Sequence, residues 1–124
     1  MSDEFEHQVR ETGNALAVTY KLLVQVCELL PVPITLPNSE VIESREIIPA
    51  VARVVEIIED QPINEIQQAG IWGACLHWLA GANLFTQMLA METTDHMLDL
   101  QIQINVVVAG EALVLLSKEL RHQE

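Results

Sequence analysis

No Asp, Glu, Lys or Arg occurs between Glu65 and Glu92, a run long enough to cross a lipid bilayer or to form the central helix of a protein core. Glutamine, histidine and asparagine side chains interrupt the run, and both of its flanks are acidic. Membrane spans contain few such polar groups and are oriented by flanking Lys and Arg. We therefore predict a core helix here and no membrane span.

Prolines divide the first half of the chain. Pro31, Pro33 and Pro37 lie close together, and because proline lacks an N–H donor they predict an extended, proline-rich connector between helices 1 and 2. Pro49 either kinks the second helix or lies in its first turn, and Pro62 ends it. The expected helices cover about 4–30, 39–60, 64–92 and 94–121. In 124 residues these make a single-domain, all-α four-helix bundle.

The third helix has one face that predicts burial and one that is mixed. At about 100° per residue, large apolar and small residues fall together on the expected core face: Gly70, Ile71, Ala74, Trp78, Gly81, Ala82, Phe85, Met88 and Leu89. The opposite side contains polar residues such as Asn83, but also Trp72, Leu76 and Leu79. Large apolar groups there either pack under the connector or bind another chain. We predict a partner-binding surface of Trp72, Leu76, Leu79 and Asn83.

The fourth helix contains a conflicting pattern. From Leu98 to Val108 every even position is apolar, which is typical of a strand. The same region also begins a continuous helical stripe, made of Leu98, Ile102, Val106, Ala109, Leu113, Leu116 and Leu120. No other segment offers a convincing strand partner, so the sequence favours a helix.

Composition narrows the classes of function. The formal charge is −12, from 18 acidic and 6 basic residues, so the chain repels phosphate backbones and anionic lipid headgroups. We expect no direct binding to nucleic acid or to membranes, whereas a basic protein partner fits the charge. The acidic N-terminus lacks the basic and apolar regions of a signal peptide, so we expect a cytoplasmic location.

Few residues suggest catalysis. Cys27 and Cys75 lie in apolar runs without CxxC spacing, which predicts buried, reduced thiols rather than metal ligands or a disulfide. The sequence has neither a Gly-x-Ser-x-Gly turn nor a phosphate-binding loop. We therefore assign no catalytic residue and no cofactor.

Acidic pairs offer an alternative chemistry. Glu40, Glu43 and Glu46 repeat every three residues, and Glu56 and Glu59 follow them. Such carboxylates could hold Mg²⁺ in a metal-dependent all-α hydrolase, or could imitate phosphates in an acidic DNA mimic. A solvated acidic face explains the same residues, so we assign no metal site.

The expected function is non-catalytic. The first, third and fourth helices are apolar over more than half of their circumference, and a domain this small cannot place every helix at its centre. We therefore expect a homodimer. The sequence favours a small acidic adaptor, inhibitor or antagonist that binds or sequesters a protein partner through an apolar helix face. Metal-dependent hydrolysis and DNA mimicry are the alternatives.

Overall fold

The computed structural model describes residues 3–38 and 45–122. These residues form four α-helices and one 3₁₀ turn: α1 (Asp3–Leu29), α2 (Ile47–Ile57), the 3₁₀ turn (Ile58–Asp60), α3 (Glu65–Met91) and α4 (His96–His122). Over the same residues no strand is present. The prediction of an all-α fold with four helices is therefore confirmed, as is the choice of a helix for residues 98–108.

Helix α3 is central and packs against α1, α2 and α4. Its direction is opposite to that of α1 and α4, since Gly13 near the start of α1 lies beside the Phe85 ring near the end of α3, and Gly70 lies beside Leu116. Helices α1 and α4 run in the same direction. Near their N-termini the Thr12 hydroxyl donates to an Asp99 carboxylate oxygen at 3.5 Å.

The core consists largely of the residues that helical spacing predicts. On α3 the expected face is buried from Ile71 to Met88, while Gly70 is half-buried and Leu89 is exposed in the last turn. The predicted stripe on α4 is buried from Ile102 to Leu120. Apolar side chains at these positions lose contact with water against α3 and α1, which is the main stabilising contribution to such a fold.

Side chains cap α3 and α4. The Asn64 side chain accepts a hydrogen bond from the Gln67 backbone N–H at 2.8 Å, which satisfies one of the N–H groups that have no partner within the helix. At the start of α4 an Asp95 carboxylate oxygen accepts a hydrogen bond from the Met97 N–H at 2.9 Å. A carboxylate also interacts favourably with the positive end of the helix dipole, so Asp95 is a favourable cap.

Helix α2 is shorter than the sequence predicts. The expected helix begins at 39, whereas α2 begins at Ile47, and residues 39–44 lie outside the described part of the chain. Pro49 occupies the first turn of α2, which was one of its two expected roles. A helix loses no internal hydrogen bond there, because the first N–H groups have no partner within the helix.

Residues 30–38 contain no helix and lie against α1. The Ile34 N–H donates to the Cys27 carbonyl at 3.0 Å, and the Tyr20 hydroxyl donates to the Pro37 carbonyl. The Gln61 side-chain amide makes a pair of hydrogen bonds with the backbone N–H and carbonyl of Val32. These contacts tie the segment both to α1 and to the end of the 3₁₀ turn.

Candidate protein-interaction surface

Helix α2 covers part of the partner-binding surface that was predicted on α3. Trp72 is half-buried and its indole N–H donates to the Val55 carbonyl of α2 at 2.9 Å. Leu79 is half-buried against the core, whereas Leu76 is 54 % exposed and Asn83 is exposed. The four residues therefore do not form one open apolar face. A binding role for them stays a prediction.

The most extensive exposed apolar surface on the described helices is the side of α4 that faces away from the core. We call it the outer face of α4, and it consists of Met97, Leu100, Ile104, Val107, Val108, Val114 and Leu115. Their exposure ranges from 40 % at Val108 to 63 % at Ile104. At helical spacing these residues follow one line along most of the 27-residue helix.

Helix α4 is thus apolar on two opposite faces. Ile102 and Val106 point into the core, while Leu100, Ile104 and Val108 point outward. This is the physical origin of the strand-like alternation in the sequence, because two apolar faces of a helix together occupy every even position over this segment. A helix with two opposite apolar faces is typically covered on both, whereas among the described residues the outer face of α4 is exposed.

A groove between α1 and α4 borders the outer face. It has a volume of about 780 Å³, and its lining is almost entirely apolar. Val18 of α1 is 61 % exposed on one wall, and Val114 and Leu115 line the other. Gly110 lies in the groove, and a methyl group added there would meet no atom within 4 Å. The space above Gly110 is therefore open to an incoming side chain.

Charges are arranged at the two ends of this surface. Between Asp99 and Lys118 the only charged residue is Glu111, which is exposed and lies among the apolar residues of the outer face. The N-terminal end of α4 is acidic through Asp95 and Asp99, and so is the first turn of the parallel helix α1. The opposite end of α4 carries the basic residues Lys118 and Arg121, which outnumber the one acidic residue between them, Glu119.

Among the described helices, α4 alone is long and apolar enough to cross a membrane, by length and composition. The uncharged run between Glu65 and Glu92, which is also long enough to cross a bilayer, forms α3, the central helix of the core. On α4, the same apolar composition serves the core on one side and the outer face on the other.

The described residues offer little support for reactive chemistry. No group of three or more potential ligands from His, Cys, Asp and Glu could hold a metal ion within residues 3–38 and 45–122. Glu46, Glu56 and Glu59 are exposed. Glu40 and Glu43 lie outside the described residues, so a metal-binding role for the acidic pairs stays a prediction.

Both cysteines are buried and free, as predicted. Burial raises the pKa of the Cys27 thiol to about 12, with a smaller contribution from Glu28. Burial also raises the pKa of Cys75 to about 12, with a smaller contribution from Cys27. A thiol with so high a pKa carries almost no thiolate at neutral pH, so neither group is an activated nucleophile.

No family model, curated protein or solved structure matches the chain.

The sequence contained a signal for the outer face. Even-numbered apolar positions that satisfy both a strand pattern and a helical stripe indicate a helix with two apolar faces, and residues 98–108 have that pattern. The exposed surface of Val114 and Leu115 continues it. The predicted partner-binding surface lies on α3 because the mixed face of that helix contains the large apolar residue Trp72.

Proposed function

We propose that this protein is a non-catalytic interaction module that binds a protein partner through the outer face of α4 and the adjoining α1–α4 groove. The observation that supports the proposal is the row of exposed apolar side chains along α4, from Met97 to Leu115. Leaving that much apolar surface in water is unfavourable, and contiguous patches of this kind mark protein interfaces.

The chemistry of the surface suits a helical partner. A groove between two parallel helices accepts the apolar side of a third helix, with side chains at i, i+3, i+4 and i+7 entering it. Open space above Gly110 and the exposed walls at Val18 and Leu115 provide the contact area. The flanking charges would set the orientation of the partner more than its affinity.

Site-specific photo-crosslinking in cells tests this proposal. A photoreactive residue at Val107 or Leu115 should give one adduct of discrete mass, and the same residue at Leu76 or at exposed Glu28 should not. Leu76 is the matched control because it is also a large apolar residue with a similar exposed fraction, 54 %, but lies on α3.

Two results would count against the proposal. If the outer-face positions give no adduct, the surface has no partner under those conditions of expression. If all four positions give the same adducts in equal yield, the contacts are non-specific. An adduct at Leu76 alone would instead support the partner-binding surface predicted on α3.

A further inference from the structure

We infer that the partner at this surface is a second copy of the chain, docked antiparallel so that the two outer faces of α4 cover each other. The inference rests on the proposed function, because it names the occupant of the same surface. Two properties of the described helices support it, the size of the face and the distribution of charge along it, and the position of Glu111 is compatible with it.

The face is large enough for a stable dimer. Helices α1 and α4 each have 27 residues and run side by side, so each is about 40 Å long. With interaxial distances of 8–10 Å, the outer face of α4 together with the adjoining face of α1 presents an outward surface on the order of 700 Å². A specific interface should bury about 1,000 Å² in total, or about 500 Å² per partner, so docking over most of this surface is sufficient.

Charge complementarity selects the antiparallel arrangement. A parallel dimer would place the acidic end, with Asp95 and Asp99, against the same acidic end of the partner. An antiparallel dimer places that end near Lys118 and Arg121 of the second copy. It also opposes the dipoles of the two α4 helices. Like charges across an interface are unfavourable and opposite charges fix the register, so the antiparallel dimer has the lower electrostatic energy.

The position of Glu111 is compatible with a two-fold axis near Val107 and Val108. In a pairing centred there, Glu111 lies opposite Ile104 of the other copy, at the level of a neighbouring helical turn. The two Glu111 carboxylates are then offset by about 10 Å along the helices, so they do not face each other directly. The symmetric contact pairs the same surface of both copies and therefore closes on itself.

Disulfide trapping and sedimentation test the arrangement. Analytical ultracentrifugation of the full chain should give twice the monomer mass of 13.9 kDa. Leu115→Glu should weaken the dimer at least tenfold, whereas Ile66→Glu, at a position of α3 that is 81 % exposed, should leave it unchanged. Circular dichroism of both variants establishes that they are folded. Glu111→Gln should strengthen the dimer, because it removes a charge from the interface.

Single cysteines report the orientation, because both native cysteines are buried. Oxidation of Val107→Cys, near the proposed axis, should give a disulfide-linked dimer. Met97→Cys should not, since the two copies of residue 97 would be about 30 Å apart in an antiparallel pair. Equal crosslinking of both variants indicates a parallel dimer and would overturn the antiparallel arrangement.

The outcomes separate this inference from the proposed function. A monomer that gives a photo-adduct of another mass at Val107 overturns the second copy as occupant, and the interaction function stands. A monomer without any adduct overturns both. A monomer that co-sediments with neutral phosphatidylcholine vesicles through the outer face also overturns the dimer, because a lipid surface then covers the apolar residues.

Discussion

The indole N–H of Trp78 donates a hydrogen bond to the backbone carbonyl of Leu16 at 3.0 Å, joining α3 to α1 across 62 positions of sequence. Both residues are fully buried. The Trp78 ring also packs against Tyr20, with ring centroids 5.7 Å apart and a tilt of 43° between the planes. Trp78 is therefore the largest fully buried side chain of the described residues, and it also makes a specific polar contact.

Trp78→Phe should lower the free energy of unfolding by about 2–3 kcal/mol. The phenyl ring leaves a cavity in a closely packed core, and the hydrogen bond to Leu16 is lost. Urea denaturation followed by far-ultraviolet circular dichroism, at one fixed protein concentration, measures the change. Trp72→Phe is the matched control and should cost about 1 kcal/mol, because Trp72 is only half-buried. Equal losses in the two variants would contradict the central role of Trp78.

Much of the core could be predicted from spacing alone. On α3, a helical period places Ile71, Ala74 and Trp78 on one face whatever their neighbours are, and the structure buries all three. On α4 the stripe from Ile102 to Leu120 is buried for the same reason. The helical period predicts which side of a helix faces the core, but it does not predict which residue packs against each position.

The partners of the mixed faces could not be predicted in this way. Trp72 lies on the side of α3 opposite the core face, and its contact with Val55 depends on how α2 packs against α3. Nothing local to either residue specifies that contact. Likewise, helical spacing assigns Leu116 to the core stripe, but whether another element covers Leu115 depends on how the helices pack, and in the structure Leu115 is 61 % exposed.

Gly73→Ala should raise the free energy of unfolding by about 0.5–1 kcal/mol. Gly73 lies in the middle of α3, where glycine is less favourable than alanine, and an added methyl group would meet no atom within 4 Å. Thermal and urea denaturation of the variant measure the gain. A loss of stability would mean that the site has a constraint beyond helix propensity.

Gly81→Leu is the contrasting substitution and should destabilise the fold by more than 1 kcal/mol. A methyl group at position 81 would already lie 3.4 Å from the Val106 side chain and 3.6 Å from that of Leu16. A leucine side chain must therefore displace one of them. If Gly81→Leu were neutral, α1 and α4 would have to pack less closely against α3 than the structure indicates.

Tyr20 should ionise above its ordinary pKa of 10.0 in the folded protein. Burial raises the pKa, and the nearby Cys27 raises it further. Because Tyr20 is the single tyrosine of the chain, absorbance at 295 nm against pH reports this group alone. The same titration in urea should give a midpoint near 10.0. A midpoint at or below that value in the folded state would contradict the burial of the hydroxyl.

The two cysteines should make the fold less stable as pH rises above 9. Each thiol has an ordinary pKa of 9.0 and a folded pKa of about 12, so between these values the unfolded chain releases protons that the folded protein retains. The stabilisation is fully present below pH 9 and is lost as pH rises toward 12. The slope is at most about 1.4 kcal/mol per pH unit for each thiol.

Urea denaturation at pH 7.5, 9.5 and 10.5 measures this loss, with the Cys27→Ala/Cys75→Ala double variant as control. Tyr20 contributes a loss of the same sign in both proteins, which is smaller in the double variant because Cys27 no longer raises the Tyr20 pKa, so the difference between their slopes is due mainly to the thiols. A thiol reagent such as Ellman's reagent should also fail to react with the native protein at pH 8 and should react with both thiols in urea. If the two proteins lose stability in parallel, or if the native thiols react rapidly, Cys27 and Cys75 are not held in the core as the structure places them.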